Sequence, residues 1–124
     1  MALYRYIDDF TIGDTYKLSR TVENVPGGQL ITEAFWTVKK DETDSDSDAA
    51  FLLSINPEGS TSGAVNNYDD GTASLDFIAL PSDSLMMDGN ETYSYDIHIT
   101  FDSGEKYALE IGKLFTGPHV LHVH

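Results

Sequence analysis

The chain has 124 residues, 40% hydrophobic and 11% aromatic, with 21 acidic side chains against 7 basic ones and no cysteine. That size and composition describe one globular domain with a single core, and the missing cysteines exclude disulfides and thiolate metal sites. A formal charge of −14 repels phosphate backbones and argues against nucleic-acid binding. No apolar run approaches the roughly 18 residues of a membrane span, and Met1-Ala2-Leu3-Tyr4-Arg5 has no basic-then-apolar leader, so no cleavable secretion signal is expected. The acidic bias serves solubility; the sharper alternative is that acidic loops collect divalent cations or meet a basic partner.

Tyr4 to Phe10 predicts a first strand, rich in aromatic and β-branched residues and broken by Gly13-Asp14. Thr15 to Val22 predicts a second, with Tyr16, Leu18 and Val22 on one face. Arg20 falls on that apolar face, where its guanidinium is expected to reach solvent at the strand end. Pro26-Gly27-Gly28 reads as a turn, and Glu33 to Lys39 as a third strand with Ala34, Trp36 and Val38 on one side. Asp41 to Asp48 is a solvated acidic loop. It feeds Ala49 to Leu53, read as a short helix capped by Ser47 or Asp48; a strand is the competing reading, because periodicity cannot settle five apolar residues.

The polar stretch Asn56 to Gly71 holds a short strand near Ala64 to Asn67. Ala73 to Leu80 is a firmer strand ended by Pro81, and Ser82-Asp83-Ser84 starts a turn or a single helical turn through Met87. The clearest signal comes next. Tyr93, Tyr95, Ile97, Ile99 and Phe101 alternate with Ser94, Asp96, His98 and Thr100, which is a strand with one buried face. Asp102-Ser103-Gly104 supplies turn chemistry, and Tyr107, Leu109 and Ile111 alternate in turn, making a long antiparallel hairpin that Gly112 ends. Leu114 to Phe115 and His119 to Val123 close the chain. The pattern predicts an all-β fold, an antiparallel sandwich, with Trp36 in the core beside the long strand.

No catalytic motif is present. Asp44, Asp46 and Asp48 alternate as in a calcium loop, but Ala49 and Ile55 stand where a helix–loop–helix site needs glycine and glutamate. His119, His122 and His124 cluster terminally; on an extended strand His119 points away from the other two, too few for zinc. No metal ligand, cofactor residue or catalytic residue is therefore assigned, and His98 is read as a strand histidine in cross-strand pairing. Gly59-Ser60-Thr61-Ser62-Gly63 has threonine where a nucleophile elbow has serine, and reads as a flexible loop. Asn90-Glu91-Thr92 matches the glycosylation tripeptide without a leader to give it meaning. Tyr93, Tyr95 and Trp36 are read as core aromatics rather than as a sugar-stacking platform.

Three segments carry a resemblance. Asp9-Phe10-Thr11-Ile12-Gly13-Asp14-Thr15-Tyr16 resembles the opening element of small bacteriophage and prophage structural domains. Ala34-Phe35-Trp36-Thr37-Val38-Lys39-Lys40 followed by Asp46-Ser47-Asp48-Ala49-Ala50-Phe51 resembles their second element. Tyr93-Ser94-Tyr95-Asp96-Ile97 with Asp102-Ser103-Gly104 and Leu109-Glu110-Ile111-Gly112 resembles their third. In order and over nearly the whole chain, the three are similar to the N-terminal immunoglobulin-like domain of upper-baseplate and tail-fibre adaptor proteins of tailed phages. The chain departs from that pattern by ending at His124 without a fibre domain and by a longer, more acidic Glu58 to Gly71 segment.

The resemblance implies an immunoglobulin-like sandwich and a non-enzymatic virion structural protein. It would be a multi-copy assembly or adaptor module of the tail, baseplate or neck, assembled in the host cytoplasm. It implies no cofactor; the partners would be other virion proteins and copies of itself in a symmetric assembly, with no nucleic acid and no membrane. A capsid decoration protein is the alternative, and a virion-attached carbohydrate-binding module a further one. The expected contact segments are Tyr4-Arg5-Tyr6 and the His119 to His124 tail, with the acidic loop left solvated.

Overall fold

A computed structural model describes residues 3–41, 43–45 and 48–117. Eight strands and one helical turn follow in chain order: β1 (Leu3–Phe10), β2 (Tyr16–Val22), β3 (Ile31–Lys39), β4 (Phe51–Ile55), β5 (Gly63–Asn67), β6 (Ala73–Ala79), α1 (Pro81–Ser84), β7 (Thr92–Phe101) and β8 (Lys106–Thr116). They form a five-stranded sheet in the order β1-β8-β7-β3-β4 and a three-stranded sheet in the order β2-β6-β5. Inner-face residues of both sheets join one hydrophobic core. The architecture is all-β and rich in antiparallel pairs, as a β-sandwich requires.

The long-strand alternation is realised as expected. Tyr93, Tyr95, Ile97, Ile99 and Phe101 are all buried, and the Gly104 turn after them takes a positive φ of 89°. Trp36 is fully buried and pairs directly with Ile97. Its indole stands edge-on to Phe51 at 5.0 Å and lies near Phe10, Phe77 and Tyr16. The side chains thus come from both sheets, which makes the indole the centre of the core. Its Nε1 donor finds no hydrogen-bond acceptor among the described residues, so packing and edge contacts with the surrounding rings must outweigh an unmet donor.

Four expectations are corrected. The short helix over Ala49 to Leu53 is instead the edge strand β4, in which Phe51, Leu53 and Ile55 turn inward and Leu52 and Ser54 outward. Its register against β3, Trp36 with Leu53 and Val38 with Phe51, offers those side chains the core that a lone helical turn could not. The only helix among the described residues is α1, closed by Asp83 Oδ2 accepting from Leu80 N at 2.7 Å.

Gly112 does not end the hairpin, because β8 continues to Thr116. A methyl group on Gly112 would lie 1.8 Å from the Arg5 carbonyl oxygen and 3.0 Å from the Tyr95 ring. Glycine is what lets β1 lie against β8 there. That pairing is parallel, Leu3 with Glu110 through Ile7 with Leu114, the one parallel ladder among the described strands.

Tyr107, Leu109 and Ile111 do not share a buried face. Ile97 pairs with Glu110 but His98 with Ala108, so Leu109 is the extra residue of a bulge that inverts the alternation. Glu110, Gly112, Leu114 and Thr116 then face inward, and Ile111 and Phe115 face outward. The fourth correction, at Arg20, belongs to the next subsection. The expected segment His119 to Val123 lies outside the described residues.

Two substitutions test the packing. Trp36→Ala should lower unfolding free energy by roughly 3–5 kcal/mol in chemical denaturation; a melting temperature within a degree or two of the parent would place the indole outside the core. Gly112→Ala should destabilise markedly, because a backbone carbonyl rather than a flexible side chain stands in the way.

Candidate functional surfaces

The bulge at Leu109 turns a carboxylate into the protein. Glu110 is only 1% exposed, and burial of an uncompensated charge would be prohibitive. Arg20, from the opposite sheet, answers it with Nε donating to Oε1 at 2.6 Å and Nη2 to Oε2 at 3.1 Å. The Tyr95 hydroxyl donates to Oε2 at 2.5 Å, and Arg5 Nε stands 3.7 Å from Oε1. Arg20 Nη1 donates to the Ser19 carbonyl at 3.0 Å. The expectation that Arg20 reaches for solvent is thereby corrected: its side chain is 22% exposed and folded onto Glu110. Both arginines of the chain converge on one carboxylate, and the cluster ties β1, β2, β7 and β8 together.

The electrostatics follow the geometry. Burial raises the Tyr95 phenol above its usual range, and its hydrogen bond to Glu110 raises it further. For Arg20, burial is the largest influence and pulls its pKa down. The hydrogen bond and charge of Glu110 together outweigh that, leaving the guanidinium above its ordinary value. Burial and the hydrogen bond to Asp9 Oδ1, at 2.7 Å, likewise raise Tyr16. With both oxygens of Glu110 already accepting, the arrangement is an ionic lock between the sheets.

The described carboxylates of the acidic loop accept hydrogen bonds from the loop itself. Asp41 Oδ1 accepts from the Thr43 amide and hydroxyl, Asp44 Oδ2 from the Asp41 amide at 3.2 Å, and Asp48 Oδ2 from the Ser45 hydroxyl at 3.0 Å. The backbone and side-chain bonds from Thr43 hold Asp41 below the usual carboxylate range. Among the described residues no group of three or more potential metal ligands converges. Asp46 and the three terminal histidines lie outside them. His98 pairs across to Phe35 and Ala108 as expected, while its Nδ1 sits 3.0 Å from Asp96 Oδ1 on its own strand.

The rings exposed on the surface are a different set from those singled out in the sequence. Tyr93, Tyr95 and Trp36 are core residues, whereas Tyr4 and Tyr6 are 54% and 63% exposed on the outer face of the large sheet. Tyr6 stacks on Phe115 at 5.9 Å and meets Tyr4 edge-on at 5.4 Å, with Ile111 paired to Tyr4 beneath them. This ring cluster borders the edge of β1 that has no strand partner among the described residues. Beside it the same face is grooved in two places, of about 340 and 410 Å³, which share Lys39 and Asp96. Sequence reading singled out Tyr4-Arg5-Tyr6, whose two tyrosines are among these exposed rings, but missed Phe115, whose partner set depends on the bulge.

No protein-family model and no curated protein matches the chain. No helix is long and apolar enough to cross a membrane among the described residues.

Removing one side of the ionic lock strands the other. Glu110→Leu or Arg20→Met should each destabilise by about 3–5 kcal/mol, whereas the double variant combining Glu110→Leu and Arg20→Met should recover most of that loss. Denaturant titration of the four proteins checks the cycle.

The raised phenols predict alkaline sensitivity. A folded-state pKa above the unfolded one means that the native protein holds the proton more tightly. That contribution is therefore complete below the ordinary phenol value of about 10 and is lost as pH rises toward the folded value. Stability should fall as pH climbs beyond about 10, and Tyr95→Phe should flatten part of the decline; denaturation midpoints across alkaline pH read both effects.

Proposed function

We propose that this protein is a virion structural module of a tailed phage, an immunoglobulin-like domain that works in many copies at the tail, baseplate or neck. Two things support the reading. One is the ordered set of three segments resembling phage structural domains; the other is the ring cluster of Tyr4, Tyr6, Ile111 and Phe115 beside the edge of β1 that has no strand partner among the described residues. That cluster carries the reading. Exposed aromatic side chains on a strand with one edge unpaired among the described residues are the materials of a protein interface, supplying anchor residues and main-chain groups at one place. Eight strands in two sheets over one core are also the layout an immunoglobulin-like domain needs. The mechanism is surface complementarity, with the ionic lock keeping β1 in place as the presenting strand.

The test removes rings without touching the core. Tyr6→Ser combined with Phe115→Ser should leave folding nearly unchanged yet reduce incorporation into particles by roughly tenfold or more, as expected for lost aromatic anchors. Asp44→Asn with Asp48→Asn should incorporate normally. Exclusion of the loop variant together with normal incorporation of the ring variant would reverse the assignment. About six or twelve copies per particle are expected for a tail or neck position, whereas hundreds would indicate capsid decoration.

A further inference from the structure

The first half of β1 is open on both faces at once. Leu3, Arg5 and Ile7 share the inward face, since they pair with Glu110, Gly112 and Leu114, all inward on β8. Ile7 is buried, yet Leu3 is 55% exposed and the Arg5 side chain 54%. Tyr6, on the outward face between Arg5 and Ile7, is exposed as well. β1 ends the large sheet and β2 ends the small one. Between them lies a cleft of about 280 Å³, with Leu3, Arg5 and Glu110 on one wall and Ser19, Arg20 and Thr21 on the other. Its charges do not balance. Two arginines face one carboxylate, and Arg20 and Tyr95 already occupy both oxygens of Glu110. Arg5 keeps only the 3.7 Å approach of its Nε to Oε1, and none of its N–H groups donates a hydrogen bond among the described residues. One positive charge is left over at the mouth of the cleft, beside a strand edge with no partner among the described residues.

We propose that β1 receives an extended segment of a partner protein as a further strand. An aspartate or glutamate of that segment faces Arg5 at the cleft mouth, and apolar side chains on its other face lie against Tyr6. The inference rests on the reading of β1 as an interface and adds the chemistry of the partner. A main-chain edge supplies the hydrogen bonds of strand addition, while alternate side chains of the newcomer reach opposite faces. An inward charge on an edge strand bars a purely apolar strand, which would bury that charge unpaired. It admits one that brings the opposite charge, so Arg5 acts as a selector. A small free carboxylate could meet Arg5 but would leave Leu3, Tyr6 and the strand edge uncovered. A second copy of this chain is the weaker candidate, because each molecule brings a net charge of −14.

The probe is a blocked seven-residue peptide, Val-Thr-Val-Glu-Val-Thr-Val, titrated into the intact protein and followed by amide NMR shifts. Shifts centred on β1 are expected, with the glutamate peptide binding roughly fivefold more tightly than its glutamine counterpart and a lysine counterpart binding weakest. The same peptide N-methylated at its three central residues should not bind, because it cannot pair its main chain. This series on the parent protein tests the charge without altering the fold. Arg5→Gln should erase the preference for glutamate, Arg5→Lys should keep it, and Lys106→Gln should leave it unchanged. Absent binding, equal binding of the glutamate and lysine peptides, binding of the N-methylated peptide, or shifts centred on β4 would each overturn the proposal. If peptide binding fails while Tyr6→Ser with Phe115→Ser still loses incorporation into particles, strand addition alone is wrong. If the peptide binds and that variant incorporates normally, strand addition stands and the virion reading falls.

Discussion

The buried carboxylate of Glu110 is the constraint on which the rest of the structure depends. One extra residue at Leu109 shifts the phase of β8, and the shift has two opposite consequences. Inward, it delivers an acid that must be neutralised, and Arg20, Tyr95 and Arg5 are committed to that task. Outward, it delivers Ile111 and Phe115, which an unbroken alternation would have placed differently. The exposed rings and the ionic lock are two faces of the same bulge. A charge pair buried in this way adds little net stability over a hydrophobic substitute. It does specify which strands must meet, since any misdocking of β2 or β1 would leave a charge unpaired.

Gly112 extends the same logic into backbone packing. It follows Glu110 by two residues on the inner face, so the site of greatest electrostatic demand and the site of closest chain approach are neighbours. β1 joins the sheet in parallel there, with Arg5 opposite Gly112. Position, charge and the missing side chain together place Tyr4 and Tyr6 on the outer face, where the candidate interface begins.

Charge is organised by region. In the acidic loop, Asp41, Asp44 and Asp48 accept hydrogen bonds from their own turn, and Lys40 at the head of it pairs with Asp88 at 3.0 Å. The outer sheet face, by contrast, gathers lysines, hydroxyls and rings.

The alternation of β7, the Gly104 turn, the core position of Trp36 and the all-β class were legible in the chain because each rests on local chemistry: period two, a positive φ, a large aromatic amid β-branched neighbours. β4 was not, since five apolar residues fit a helix or a strand until β3 offers an edge to pair with. Nor was the fate of Arg20, whose partner is 90 residues away in sequence and on the opposite sheet. The bulge at Leu109 was hidden for a similar reason. Tyr107, Leu109 and Ile111 alternate whether or not one of them is skipped, and only the pairing with β7 reveals which. The sequence by itself determined most of the strands, the Gly104 turn and the aromatic core. Which face of β8 is buried, and therefore where the carboxylate and the exposed rings lie, was decided by tertiary structure, because register is a property of two strands and not of one.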